Sequence, residues 1–231
     1  ISICTFTAID GMFVGQSVGS DGIAAINITA PLFMIFTGIG LMAGIGSSVI
    51  ASLALAKSKI KLARLNVSQS LLFVSIFALC LSGLMMFFPD KTAYILGSSD
   101  YLLNHVKTYL LWILPSFVFL MWSSLGLFII RLDGAPQLAM WLTIIEAVIN
   151  TFLDWLFMFP LHMGVMGAAL ATTIATIVGG ILTLCYLLYQ AKNLKLYPIQ
   201  INLRGFPLFA KGIVNQCRIG SSAMIGEATM A

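Results

Sequence analysis

Pro136-Gln-Leu-Ala-Met-Trp-Leu-Thr-Ile-Ile-Glu146-Ala-Val-Ile-Asn150-Thr-Phe-Leu-Asp154-Trp-Leu-Phe-Met-Phe-Pro160 is the stretch that decides the fold. Between its two prolines only Gln137, Thr143, Glu146, Asn150, Thr151 and Asp154 are polar. A helix of about 20 such residues, rising about 1.5 Å each, crosses the hydrocarbon core of a bilayer. Glu146, Asn150 and Asp154 recur every four residues. Each is turned only about 40° from the one before, so all three share one helical stripe. In hydrocarbon a carboxylate costs about 3 kcal/mol on insertion scales unless a partner, ion or aqueous cavity compensates it. A stripe of this kind inside a span therefore points to function.

The rest of the 231-residue chain has the same character: 60% of residues are hydrophobic and only 9% are charged. With a mean hydropathy of +1.02, this is the composition of a polytopic membrane protein, all-α by its spans. The length holds roughly six or seven spans and leaves no room for a separate soluble domain. Apolar runs punctuated by Gly, Pro and charge predict helices over 1–14, 23–55, 61–88, 101–130, 137–159, 164–190 and 206–231. If the loops alternate sides, Lys57, Lys59, Lys61, Arg64, Arg131, Lys192, Lys195, Arg204, Lys211 and Arg218 fall on one side, and only Lys91 and Lys107 on the other. That excess marks the first side as cytoplasmic, so the first helix runs outward and 17–22, 89–100 and 160–164 face outside. The net charge of +4 then reports orientation, not binding to nucleic acid.

The longest polar break, 192–205 with Pro198 and Arg204, divides the chain into a membrane lobe over 1–191, a cytoplasmic linker over 192–205 and the start of a second unit over 206–231. Residues 1–8 carry no starting Met, basic region or cleavage site, so no signal peptide is visible. The chain stops inside an apolar run at Ala231, and both ends are read as cut from a longer protein.

Several features have ordinary readings. Cys4, Cys80, Cys185 and Cys217 are far apart in apolar segments and are expected to be free thiols packed as small hydrophobes, without disulfides or zinc. Gly38, Gly40, Gly44 and Gly46, and Gly164, Gly167, Ala168, Ala169 and Ala171, supply small-residue spacings suited to close helix contact. Pro31 and Pro115 lie inside spans, where each removes a backbone donor and can bend the helix. His105 and His162 sit at predicted outer ends. Asn27-Ile28-Thr29 and Asn66-Val67-Ser68 are chance matches to a glycosylation pattern, since both fall in spans or on the cytoplasmic side. No Ser/His/Asp or metal-ligand spacing appears, so the chain is not expected to be an enzyme.

The remaining polar residues form a candidate set. Asp10 lies near the outer end of the first helix and Asp154 in the outer half of the fifth. For Asn150 an interhelical hydrogen bond, and for Glu146 a packed protonated acid, are open alternatives to a direct role. The sixth helix adds Thr172, Thr173 and Thr176, and an outward hairpin of helices five and six brings Thr172 to the level of Asn150 or Asp154. Two carboxylates, an amide oxygen and a hydroxyl suit a proton or a hard monovalent cation such as Na⁺, held by Asp10, Asn150, Asp154 and Thr172. Competition between the two ions for one site can couple ion flux to conformation.

The chain resembles the multidrug and toxic compound extrusion (MATE) transporters. The matching text is Asp10-Gly-Met-Phe-Val-Gly15, Ala24-Ala-Ile-Asn-Ile-Thr-Ala-Pro31 with the glycine-rich run to Ser48, Arg131-Leu-Asp-Gly-Ala-Pro136, Asn150-Thr-Phe-Leu-Asp154 and Gly164-Val-Met-Gly-Ala-Ala-Leu-Ala-Thr172. The resemblance implies a six-helix amino-terminal lobe of a two-lobe, twelve-helix transporter, with helix one truncated and helix seven begun. It implies cation coupling at Asp10, Asn150, Asp154, Thr172 and the carbonyl of Ala168. A helix-four asparagine of the family is replaced by Ser123 or Ser124, Trp155 stands where a proline is common, and Glu146 is an extra acid. Glu146, Ser123 and Ser124 are possible members of a polar cavity.

What this implies is a secondary active antiporter in a bacterial plasma membrane. It would export amphipathic or cationic compounds in exchange for Na⁺ or H⁺ by alternating access, with no cofactor beyond the coupling ion. The expected partners are the substrate, membrane lipid and a second lobe of the same polypeptide. The alternative within the superfamily is a flippase for a lipid-linked oligosaccharide, which a cavity lined by Arg and Lys would favour. Here every Arg and Lys lies at a predicted interface or loop.

Overall fold

The computed structural model describes the backbone of residues 2–197 and 206–228, and the side chains of 15, 19–197, 209–221 and 226. Within these residues the elements are α1 (Ser2–Ala56), α2 (Ile60–Phe87), α3 (Pro89–Ile95), α4 (Leu103–Ile113), a 3-10 turn at Leu114–Ser116, α5 (Phe117–Leu132), α6 (Pro136–Met158), α7 (Gly164–Cys185) with a π-helical turn at Tyr186–Gln190, and α8 (Phe206–Ala228). Five stretches are long and apolar enough to cross a membrane: Gly19–Ala56, Ile60–Phe87, Leu103–Leu132, Pro136–Met158 and Gly164–Gln190. They coincide with the second to sixth predicted helices.

The first two predicted helices meet without the expected loop over 17–22. Gly19 alone is non-helical inside α1, at φ 75° and ψ −163°. That region costs a residue with a Cβ but not glycine. The chain turns back there: a methyl group added at Gly15 would lie 3.2 Å from the Ile23 Cδ1, whereas eight residues of straight helix would separate them by about 12 Å. Pro115 sits in the 3-10 turn that divides the fourth predicted span into α4 and α5. α1 passes Pro31 without a break.

Small residues set the helix spacing, as expected from their pattern. A Cβ at Gly40 would lie 2.9 Å from the Ser124 Cβ, and one at Gly44 would lie 3.0 Å from the Leu125 Cα, so α1 crosses α5 nearly backbone to backbone. Gly46 faces another neighbour: a Cβ there would overlap the Gln216 backbone, and one at Gly220 would overlap that of Met42, which holds α8 against α1. Gly126 against Thr183, and Gly180 against Phe119, do the same between α5 and α7.

Loops predicted to share a side do meet. At the basic end, Arg64 Nε donates to the Asn193 carbonyl at 2.8 Å and Tyr197 N to Ser68 Oγ at 2.9 Å. At the other end, Tyr101 donates to Asp21 at 2.8 Å, Tyr94 donates to Asp100 at 2.7 Å, and Lys107 pairs with Asp90 at 2.7 Å. Among the described residues the thiols of Cys80, Cys185 and Cys217 are free, but Cys80 and Cys185 are exposed and Cys217 is half-buried, so packing inside the bundle fails for the first two. Both sit on apolar helices facing outward, where lipid accepts a weakly polar thiol. Cys4 lies outside the described side chains.

Candidate functional site

The stripe on α6 points inward. Trp141, Ile145, Val148, Phe152 and Trp155 are exposed on the opposite side, while Ala139, Asp154 and Met158 are buried and Glu146 and Asn150 half-buried. A helix with one polar face buries that face away from lipid, because lipid cannot satisfy it. Glu146 and Asn150 open onto a cavity of about 430 Å³ among four helices. Phe33, Thr37 and Leu41 of α1, Leu120, Ser123, Ser124 and Leu127 of α5, Thr143, Glu146, Ala147 and Asn150 of α6, and Thr172, Ala175 and Thr176 of α7 line it. At one edge Phe36 stacks on Phe117 with centroids 4.3 Å apart, and Phe33 meets Phe117 edge-on at 6.0 Å.

The structure brings Asn150 and Thr172 together: Asn150 Nδ2 donates to Thr172 Oγ1 over a long 3.4 Å. Thr176 donates instead to the Thr172 and Thr173 carbonyls, at 2.7 and 3.0 Å, and Thr173 to the Trp112 carbonyl at 2.8 Å. Ser124 donates to the Leu120 carbonyl at 2.9 Å. Asp154 is fully buried (0% exposed) and is not part of the cavity wall, so Glu146 and Asn150 face the cavity while Asp154 is packed inside the bundle one turn further along the stripe. Ala168, one turn before Thr172, is buried in α7. Asp10 lies in α1, and its side chain is outside those described. Among the described residues no three His, Cys, Asp or Glu side chains cluster as a metal site.

Sequence reasoning missed several participants. Thr37 and Thr143 face the cavity, and the Thr37 hydroxyl is buried without a hydrogen-bond partner. Asp133 is 5% exposed and accepts four hydrogen bonds: from Tyr186 Oη at 2.9 Å and from the backbone N–H groups of Lys192, Asn193 and Leu194 at 2.7, 2.8 and 3.0 Å. This one carboxylate ties the start of the linker to the end of α5, and the π-helical turn at Tyr186 delivers the fourth donor. The buried run Asn66-Val-Ser-Gln-Ser70 receives α8: Ser70 Oγ donates to Gln216 Oε1 at 2.8 Å and Gln216 Nε2 to the Asn66 carbonyl at 3.2 Å. Four polar residues in five, inside an otherwise apolar span, were the available signal.

Membrane-crossing helices with apolar faces outward, packed around an internal cavity whose largely apolar wall carries Glu146, Asn150 and several hydroxyls, define an integral multi-pass membrane protein. The MatE family model matches residues 1–156, and the chain belongs to that family. It is 26% identical over 212 residues to the multidrug export protein MepA of Staphylococcus saprophyticus, a match covering 87% of this chain and 47% of that protein. Its fold is similar to a multidrug resistance MATE family transporter of the MOP superfamily solved inward-facing, with a TM-score of 0.82 and 20% identity over 97% of this chain and 50% of the other. It is equally similar to the outward-facing conformation of such a transporter, with a TM-score of 0.82 and 22% identity over 98% and 49%. The chain spans about half the length of the relatives it matches.

Proposed function

We propose that this chain is the amino-terminal lobe, with the linker and the first helix of the second lobe, of a secondary active antiporter that exports amphipathic or cationic compounds while Na⁺ or H⁺ enters. The single observation that carries the reading is Asp154, fully buried in the outer half of α6 on the same stripe as Asn150, which bonds Thr172. A carboxylate closed off from both lipid and bulk water is stable with a proton or cation on it, so ion occupancy and local packing are linked. Asp154, Asn150 and Thr172, together with Asp10 and the Ala168 carbonyl, are the residues assigned to the coupling ion.

The cavity lined by Glu146 and Asn150 receives the cargo, and each ligand shifts the equilibrium between inward- and outward-facing states by its differential affinity. Matching solved inward- and outward-facing transporters with equal TM-scores supports a lobe that moves as a unit. None of the residues lining the cavity is Arg or Lys, which speaks against an anionic lipid-linked sugar as cargo. The test uses the full-length protein in proteoliposomes containing an amphipathic cationic dye, under an imposed Na⁺ gradient and, separately, a proton gradient. Gradient-driven dye movement under either supports antiport; dye movement indifferent to both rejects it.

A further inference from the structure

We propose that Glu146 is a second, cargo-reading carboxylate, the counter-ion for a monovalent organic cation seated in the cavity between α1, α5, α6 and α7, whose wall also holds Asn150 and Thr172 of the coupling set while Asp154 lies outside it. The inference rests on the antiporter reading and adds to it the residue that selects cargo by charge. Glu146 lies ten residues into α6, about 15 Å from its start and about 12 Å along the axis from Asp154. It lines the open cavity, and Asp154 does not.

The surroundings accommodate this carboxylate. A methyl group at Gly179 of α7 would overlap it, so glycine there makes its room, and the Ser123 hydroxyl of α5 borders the same space. No basic residue lines the cavity, and the one ion pair among the described residues, Asp90 with Lys107, lies at the end of the bundle. Among the described residues, then, no basic side chain competes with an incoming cation for Glu146.

The rest of the cavity suits the body of such a molecule. Its volume of about 430 Å³ is within the range of small-molecule sites, roughly 300–1,000 Å³. Phe33 adds an aromatic ring whose face attracts a cation, Leu41, Leu120 and Leu127 provide apolar wall, and the unpartnered Thr37 hydroxyl is a free polar contact. A cation leaving water recovers its lost solvation from the carboxylate. A neutral molecule of equal shape does not, so charge discriminates where shape cannot.

The matched probes are 10-methylacridinium, a permanent cation, and its parent acridine, uncharged at mildly alkaline pH, with binding to the full-length protein read by their fluorescence. Glu146→Gln keeps size and hydrogen bonding. It is expected to weaken methylacridinium binding by about tenfold or more and to leave acridine within about twofold. Glu146→Asp retains the preference for the cation, and Gly179→Ala, which displaces the carboxylate, loses it. Equal weakening of both dyes would make Glu146 a packing residue. That outcome, unchanged binding of both, or a wild type that does not bind methylacridinium overturns the proposal. Selective loss in Glu146→Gln, in a wild type that binds the cation but shows no gradient-driven movement, sinks antiport and leaves the charge-reading role standing.

Discussion

Replacing Asp133 by alanine should release the linker from the lobe. The side chain accepts three backbone N–H bonds of 2.7–3.0 Å from residues 192–194 and one hydroxyl bond of 2.9 Å from Tyr186, all in a site 5% exposed. A hydrogen bond to a charged acceptor contributes about 1.5–3 kcal/mol, but the four share one acceptor and do not add. The released N–H groups belong to a loop and regain water, so about 3 kcal/mol is a reasonable net loss of docking. That corresponds to roughly a hundredfold rise in the undocked population. Lys192 and Lys195 have exposed side chains on a tied backbone, so trypsin cleavage there reports undocking when reclosing outpaces cutting. In membranes, Asp133→Ala should be cut at these sites roughly a hundredfold faster than wild type, and Tyr186→Phe only a few-fold faster. Cleavage of Asp133→Ala at the wild-type rate would refute the linkage between this carboxylate and linker docking.

Gly220→Leu places a side chain where only the Met42 backbone fits and should cost about 1–3 kcal/mol, seen as a lower midpoint of thermal unfolding in detergent, whereas Gly83→Leu, with no atom near its Cβ, should not. Tyr101 donates to Asp21 at the bundle end opposite the linker, and this hydrogen bond, with the carboxylate's charge, holds the phenol above its ordinary 10.0. Because the shift disfavours tyrosinate, Asp21→Asn should move the Tyr101 titration down toward 10.0 in an ultraviolet titration. An unmoved titration would show that the bond is not formed in solution.

The spans were legible because hydrocarbon imposes one composition on everything it touches. The predicted 61–88, 137–159 and 164–190 agree with Ile60–Phe87, Pro136–Met158 and Gly164–Gln190 to within a residue. What composition does not encode is how a chain turns. The reversal at Gly19 needs one residue rather than a loop, and α3 is a seven-residue helix over Pro89–Ile95 in what read as a plain outward loop. The inward direction of the α6 stripe was legible from its four-residue spacing, and the meeting of Asn150 with Thr172 from the hairpin that joins their helices. The separation of Asp154 from the cavity was not, because it depends on tertiary packing around the stripe that a four-residue spacing does not encode. The roles of Asp133, which in sequence is only one member of a motif, and of Gln216 were not legible because their partners lie about 60 and 150 residues away in sequence, beyond any local pattern.

The central claim is that Asp154 couples an entering cation to export. Full-length protein carrying Asp154→Asn, reconstituted beside wild type with equal orientation and dye binding, should lose at least about tenfold of its gradient-driven dye flux. Retained binding with lost coupling is the predicted result. Flux under the ion gradient equal to wild type would contradict the account.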